Sequence, residues 1–215
     1  MHLLRSVATG LVLVVSCSVV LAQQTTKKDS KPAKTETKAA QSNAMQTPKP
    51  SPEIIKLAKT LNGNWKVSGK ILDESWSPGG DEGAGTDIVH AGPGGFTSLS
   101  MAKMSFKKMG KFAGHGVVWW DDTKKAYQGL WCDNWGPTCA PTGDGKWEGE
   151  NLVFTGEMQM GPQKMPVRQT YSNITVNSFD WKMEVGDGKG GWKPEMSLKY
   201  ERAEAAKSAD AAPKQ

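Results

Sequence analysis

Apolar and polar side chains alternate at a period of two along most of the stretch from Trp65 to Arg202, the pattern of half-buried β-strands. Trp65, Val67, Gly69 and Ile71 alternate with Lys66, Ser68 and Lys70. Further strands are expected near residues 84–91, 95–102, 111–120, 126–133, 139–148, 151–160, 165–174, 178–186 and 191–202. Pro78-Gly79-Gly80-Asp81, Gly92-Pro93-Gly94-Gly95, Gly143-Asp144-Gly145, Gly161-Pro162 and the run from Gly186 to Gly191 mark turns between them. Helical spacing occurs once ahead of the strands, in Ile54, Ile55, Leu57, Ala58 and Leu61, behind the start signal Ser51-Pro52-Glu53 and before the stop Asn62-Gly63. About ten consecutive strands with short connections after one short helix predict an all-β fold, an up-and-down antiparallel barrel whose closure removes both sheet edges.

One hairpin organises the rest. The runs from Gly114 to Asp121 and from Tyr127 to Asp133 flank a short polar connector and should pair. Phe112, Gly114, Gly116, Val118 and Trp120 share one face of the first strand; Tyr127, Gly129, Trp131 and Asp133 share one face of the second. Glycine beside large aromatics suits the inside of a curved barrel, and nine tryptophans can stabilise a core that has few aliphatic residues.

Outside the strands the chain changes character. Residues 1–22 combine a basic lead with an apolar run that ends in Val20-Leu21-Ala22, which reads as a signal peptide cleaved after Ala22 and predicts a periplasmic or secreted protein. The run is shorter than the roughly 20 residues a spanning helix needs, so no stable membrane insertion is expected. Cys17 loosely fits a lipoprotein box, but the apolar run continues past it, which argues against lipid anchoring there. Residues 23–50 carry six lysines against two acids and no aromatic residue, the composition of a solvated, disordered linker. Residues 203–215 read as a disordered tail. Residues 51–202 form the barrel domain, with 18 basic and 18 acidic residues, so the formal net charge of +5 belongs to the flanks. A folded nucleic-acid surface would need a basic excess on the domain, and none is present.

Candidate chemistry is sparse. Cys132 and Cys139 bracket a turn-rich stretch, and in an oxidising space that spacing reads as a disulfide across a hairpin, with two free thiols as the alternative. No CxxC or HxxxH pattern suggests a metal, and no nucleophile elbow or phosphate loop is present. An enzyme would need a buried acid or nucleophile in the lumen, for which Asp133 is the one carboxylate nominated.

Leu61-Asn62-Gly63-Asn64-Trp65 after a short helix resembles the G-x-W entry of lipocalins and other calycins, and Arg202 stands where those barrels place an arginine over that tryptophan. The ordered set of G-x-W, Gly114 to Asp121, Tyr127-x-x-x-Trp131-x-Asp133 and a closing aromatic-x-Arg resembles a family of exported bacterial proteins known as a domain of unknown function with a lipocalin-like barrel. The resemblance implies a lumen able to hold a small, mostly apolar molecule. Relatives of nitrobindin type ligate haem through a late-strand histidine, and residues 192–202 contain none, so no cofactor is expected. The Trp65 and Arg202 pair is expected to be structural, a cation-π contact between first and last strands.

By alternation and size the candidate lumen residues are Trp120, Tyr127, Trp131, Phe154, Met158, Tyr171, Trp181, Met183, Met196 and Leu198, with Arg168 as a polar anchor at the mouth. Two readings stand for these side chains: a wall around a small hydrophobic ligand, or a packed filling. The leading function is therefore an exported, non-enzymatic binding barrel. Its alternative is a ligand-free envelope interaction protein that works through its loops and basic linker.

Overall fold

A computed structural model of the chain describes residues 47–160 and 163–203. The expected signal peptide, Cys17, residues 23–46 of the expected linker and the tail from residue 204 lie outside the described residues.

Among the described residues one helix, α1 (Pro52–Leu61), precedes eleven strands: β1 (Gly63–Ile71), β2 (Asp81–Ala91), β3 (Thr97–Phe106), β4 (Gly110–Asp121), β5 (Ala126–Asp133), β6 (Ala140–Pro141), β7 (Asp144–Glu148), β8 (Asn151–Met160), β9 (Gln163–Ser172), β10 (Ser178–Gly186) and β11 (Trp192–Arg202). Each long strand pairs antiparallel with its neighbour in sequence, β5 pairs with β7, and β11 returns to β1 with Trp65 opposite Arg202. Ten strands thus close a barrel; the two-residue β6 is an appendage on β5. The β5–β7 seam is the thinnest part of the ring, one bridged pair at Tyr127 and Gly145, with β6 covering β5 at Leu130 and Trp131.

Helix α1 forms where its capping residues place it. The Ser51 hydroxyl accepts from the Ile54 N–H at 3.2 Å, and the Asn62 N–H donates to the Ala58 carbonyl at 3.0 Å. Ile54, Leu57 and Leu61 are buried, while Ile55 faces solvent, so the apolar stripe is narrower than the sequence suggested. The helix lies across one mouth of the barrel. At its C-terminal end the Trp65 indole N–H donates to the Leu61 carbonyl at 2.9 Å; at its N-terminal end the Tyr127 hydroxyl donates to the Glu53 carbonyl at 2.8 Å. Lys56 rests on the Trp147 ring at 4.0 Å. Ten helical residues span about 15 Å, enough to reach from β1 to β5.

Strand boundaries depart from expectation where glycines take left-handed backbone. Gly94 and Gly95, at φ 66° and 77°, close a turn that delays β3 to Thr97, and the alternation of Met104 and Phe106 with Ser105 carries it on to Phe106. Gly143, at φ 82°, splits the strand expected over 139–148 into β6 and β7.

Around the helix-covered half the core is a chain of aromatic rings. Trp120 meets Tyr127 at 5.1 Å between centroids, Tyr127 meets Phe154 at 6.4 Å, and Phe154 meets Tyr171 at 6.2 Å. Tyr171 meets Phe179 at 5.8 Å, and Phe179 stacks on Tyr200 at 4.2 Å and meets Trp65 edge-on at 4.8 Å. Ring edges and faces in these arrangements add to the area they bury.

Candidate functional site

Residues directly opposite one another in a ladder project to the same side of the sheet, so the register fixes the lumen. One continuous inward row passes through Trp120, Tyr127, Gly145, Phe154, Gln169, Met183, Met196 and Ile71. A second passes through Leu152, Tyr171, Trp181, Leu198 and Gly69. Trp131 faces Gly116, and Met158 faces Met165. All ten apolar candidates from the sequence therefore stand on the inward side.

Arg168 does not. It pairs in register with Thr155 and Glu184 on the outer face, where Nε and Nη2 donate to Glu184 Oε2 at 2.9 and 2.7 Å and the guanidinium covers the Trp192 ring at 4.5 Å. Arg168 is three residues from Tyr171, and an odd separation puts two residues of one regular strand on opposite faces. It is a surface ion pair, not an anchor at the mouth.

The wall is not uniformly packed. Tyr127 and Phe154 are buried, but Trp120, Trp131, Met158, Tyr171, Trp181 and Met196 keep accessible surface although they point inward. Tyr171 is half-buried, and desolvation pushes its hydroxyl above the ordinary phenol range. Gln169, inward between Phe154 and Met183, has no hydrogen-bond partner for its amide among the described residues.

An acid that the sequence reading passed over sits in this wall. Asp87 faces Trp65 on one side and Ala102 on the other and is 4% exposed. The Ser100 hydroxyl lies 2.8 and 2.9 Å from its two oxygens, and the Met101 N–H donates to Oδ1 at 3.1 Å. Burial nevertheless raises its pKa, because these neutral donors compensate only in part. The signal was present in the alternation of Gly83, Gly85, Asp87 and Val89, all on one face of β2.

Asp133 lies at the rim. Its Oδ2 accepts from the Trp131 indole at 2.9 Å, and its Oδ1 accepts the Trp135 and Gly136 amides at 2.9 and 3.2 Å. These bonds shape the loop that the Cys132–Cys139 disulfide closes. Beyond the opposite mouth from α1, Asp73 and Glu195 form a buried acid pair beside Lys193, whose Nζ is 3.2 Å from Asp73 Oδ1 and 3.5 Å from Glu195 Oε1.

Two open grooves lie on the outer surface. One, of about 420 Å³, is bounded by Lys70, Gly80, Glu82 and Lys108; the other, of about 550 Å³, runs between the start of α1, Phe96 and Trp120. Lys107 and Lys70 already pair with Glu82 in the first, and Lys108 Nζ donates to the Pro78 and Gly80 carbonyls. Each groove touches one end of the first inward row, Ile71 in one and Trp120 in the other, and the inward-facing wall fixed by the register is the candidate site. Among the described residues no group of three or more His, Cys, Asp or Glu could hold a metal ion, and no helix is long and apolar enough to cross a membrane.

Residues 49–202 match the family described as "Protein of unknown function (DUF1579)". No curated protein matches the chain. Among solved structures, a de novo designed fluorescence-activating β-barrel aligns at 12% identity and a TM-score of 0.39, covering 68% of this chain and 96% of the designed one.

Proposed function

The chain belongs to the DUF1579 family, and we propose that its barrel is an exported carrier that holds a small apolar or amphipathic molecule in the lumen and performs no chemistry on it. The observation that carries this reading is the inward register of Met158, Tyr171, Trp181 and Met196, four large side chains on the lumen face that are each only half-buried. A wall of aromatic rings and methionines adapts to apolar ligands, and polar groups such as the Gln169 amide and the Tyr171 hydroxyl can orient them. The Cys132–Cys139 disulfide supports an oxidising destination.

Native mass spectrometry of protein recovered from its own host tests the carrier. An additional non-covalent mass that vanishes on denaturation is the expected result. A clean apo mass, with no quenching of the tryptophans by apolar probes, would overturn it.

A second reading rests on the outer face. Ile88, Met101 and Leu130 are each more than 40% exposed, and Ile88 faces Met101 across the β2–β3 ladder. Such a patch favours an interaction protein in which the barrel is a rigid support. Substitution of Met101 and Leu130 by serine would then abolish partner capture while leaving lumen binding intact.

A further inference from the structure

The lumen has a sign. Among the described inward positions on the strands, the basic residues are Arg202 and Lys193, and both stand at the rims with their partners in place. Arg202 lies over Trp65 and donates to the Val176 and Asn62 carbonyls. Lys193, past the β11 bulge, is paired with Asp73 and Glu195. The acids are distributed differently. Asp81 accepts the Lys108 and Met109 amides at the turn, and Asp133 accepts its rim amides, but Asp87 lies inside the barrel and makes no ion pair with any described residue.

Asp87 also has spare acceptor capacity. A carboxylate offers about four lone-pair sites, and Asp87 is served by the Ser100 hydroxyl and the Met101 and Ile88 N–H groups, which leaves room for one further donor. Its field reaches the hydroxyls of Tyr171 and Tyr200, both of which it helps to push upward after burial has done most. Those two phenols frame Phe179, which touches both rings and Trp65. A carboxylate without a cation, set among aromatic faces inside a barrel, is the arrangement that receives an ammonium group: the charge pairs with the acid and the surrounding C–H or N–H groups lie against the rings.

We propose that Asp87, with Tyr171 and Tyr200, is the headgroup subsite of the lumen and selects an amphipathic ligand that carries a protonated amine or a quaternary ammonium. This rests on the carrier reading above and adds the chemical class of the ligand to it. A buried carboxylate that neutral donors compensate only in part costs free energy in the empty barrel; an incoming cation removes that cost, so occupancy and neutralisation are one event. An acidic or neutral amphiphile of the same length gains only the apolar wall.

The test titrates the full chain at pH 7 by calorimetry with three probes of matched length, n-octylamine, n-octanol and octanoate, and repeats the series on Asp87→Asn. Octylamine is expected to bind at least tenfold more tightly than the other two, and the variant to lose that preference while its affinity for octanol holds. In parallel, nuclear Overhauser contacts from the octylamine α-methylene to the Tyr171 and Tyr200 rings are expected in the wild type, which keeps the question decidable should the variant not fold. Octanol or octanoate binding as tightly as octylamine, or amine contacts elsewhere, overturns the headgroup subsite and leaves the carrier standing. Failure of all three probes to bind overturns both.

Discussion

The guanidinium of Arg202 lies over the indole of Trp65 at 4.3 Å, and the two residues face each other in the β1–β11 ladder that closes the barrel. The contact is embedded in a local network. Trp65 is 1% exposed, its N–H is tied to the end of α1, and the Arg202 Nε and Nη1 donate to the Val176 and Asn62 carbonyls at 2.7 and 3.1 Å. One side chain therefore joins the first strand, the last strand, the β9–β10 connection and the helix stop.

Arg202→Ala removes a cation-π contact of roughly 1–2 kcal/mol and two charge-assisted hydrogen bonds. The expected outcome is a fall in unfolding free energy of about 2–4 kcal/mol. Arg202→Lys should recover only a fraction of it, because an ammonium cannot both lie flat on the ring and reach two carbonyls. Urea titration followed by tryptophan fluorescence measures it. Curves that superimpose for wild type and Arg202→Ala would show that the pair has no structural role.

Trp131 depends on the absence of two side chains. A Cβ built on Gly116 comes 2.8 Å from its Cε3, and one on Gly114 comes 2.5 Å from Cζ2, so the indole lies flat across both glycines of the facing strand. A ring has no flexible end to give way. Gly116→Ala should destabilise by about 1–3 kcal/mol through overpacking and shift the Trp131 emission, with the Trp131→Phe background relieving much of the cost. An unchanged melting temperature in Gly116→Ala would mean that the ring is not held against β4.

The barrel was legible because alternation, turn residues and helix caps agreed, from Ser51-Pro52-Glu53 to the glycine-punctuated strands. The inward set of aromatics and methionines followed from the same parity. Arg168 departs from that parity: it stands three residues from Tyr171, an odd separation, and so faces outward. Asp87 is only weakly marked in the sequence, for a different reason. A strand is expected over 84–91, but the inward positions Gly83 and Gly85 are empty to let Phe106 and the β3 backbone approach, so little apolar parity marks Asp87 as inward. The acid pair needed tertiary information altogether, because Asp73 and Glu195 meet only when β11 returns to β1.

That pair predicts a pH dependence. Asp73 accepts the Ser75 N–H and hydroxyl at 2.9 and 2.6 Å, and the Glu195 carbonyl accepts the Leu72 and Asp73 amides. Burial pushes Glu195 up to about 7, the neighbouring Asp73 carboxylate adds to this, and Lys193 opposes it. Burial would raise Asp73 too, but the hydrogen bonds from Glu195, Ser75 and Lys193 outweigh it and hold Asp73 well below the usual carboxylate range. Glu195 Oε2 is buried without a donor among the described residues, which fits a proton held on this carboxyl. Between pH 4.5 and 7 the folded chain keeps that proton on Glu195 and the unfolded chain has lost it, so ν_U − ν_N is negative and stability falls as pH rises. The slope should approach about 1 kcal/mol per pH unit and level off above the folded value. Asp73 has the opposite sign, its benefit being present above its ordinary range and lost in acid. Asp87, also raised, slopes the same way as Glu195, so the diagnostic quantity is a difference between variants. Glu195→Gln, which mimics the protonated acid, should flatten the decline between pH 5 and 8 in urea unfolding. A wild-type profile that Glu195→Gln reproduces without change would show that Glu195 is ionised in the folded barrel throughout that range.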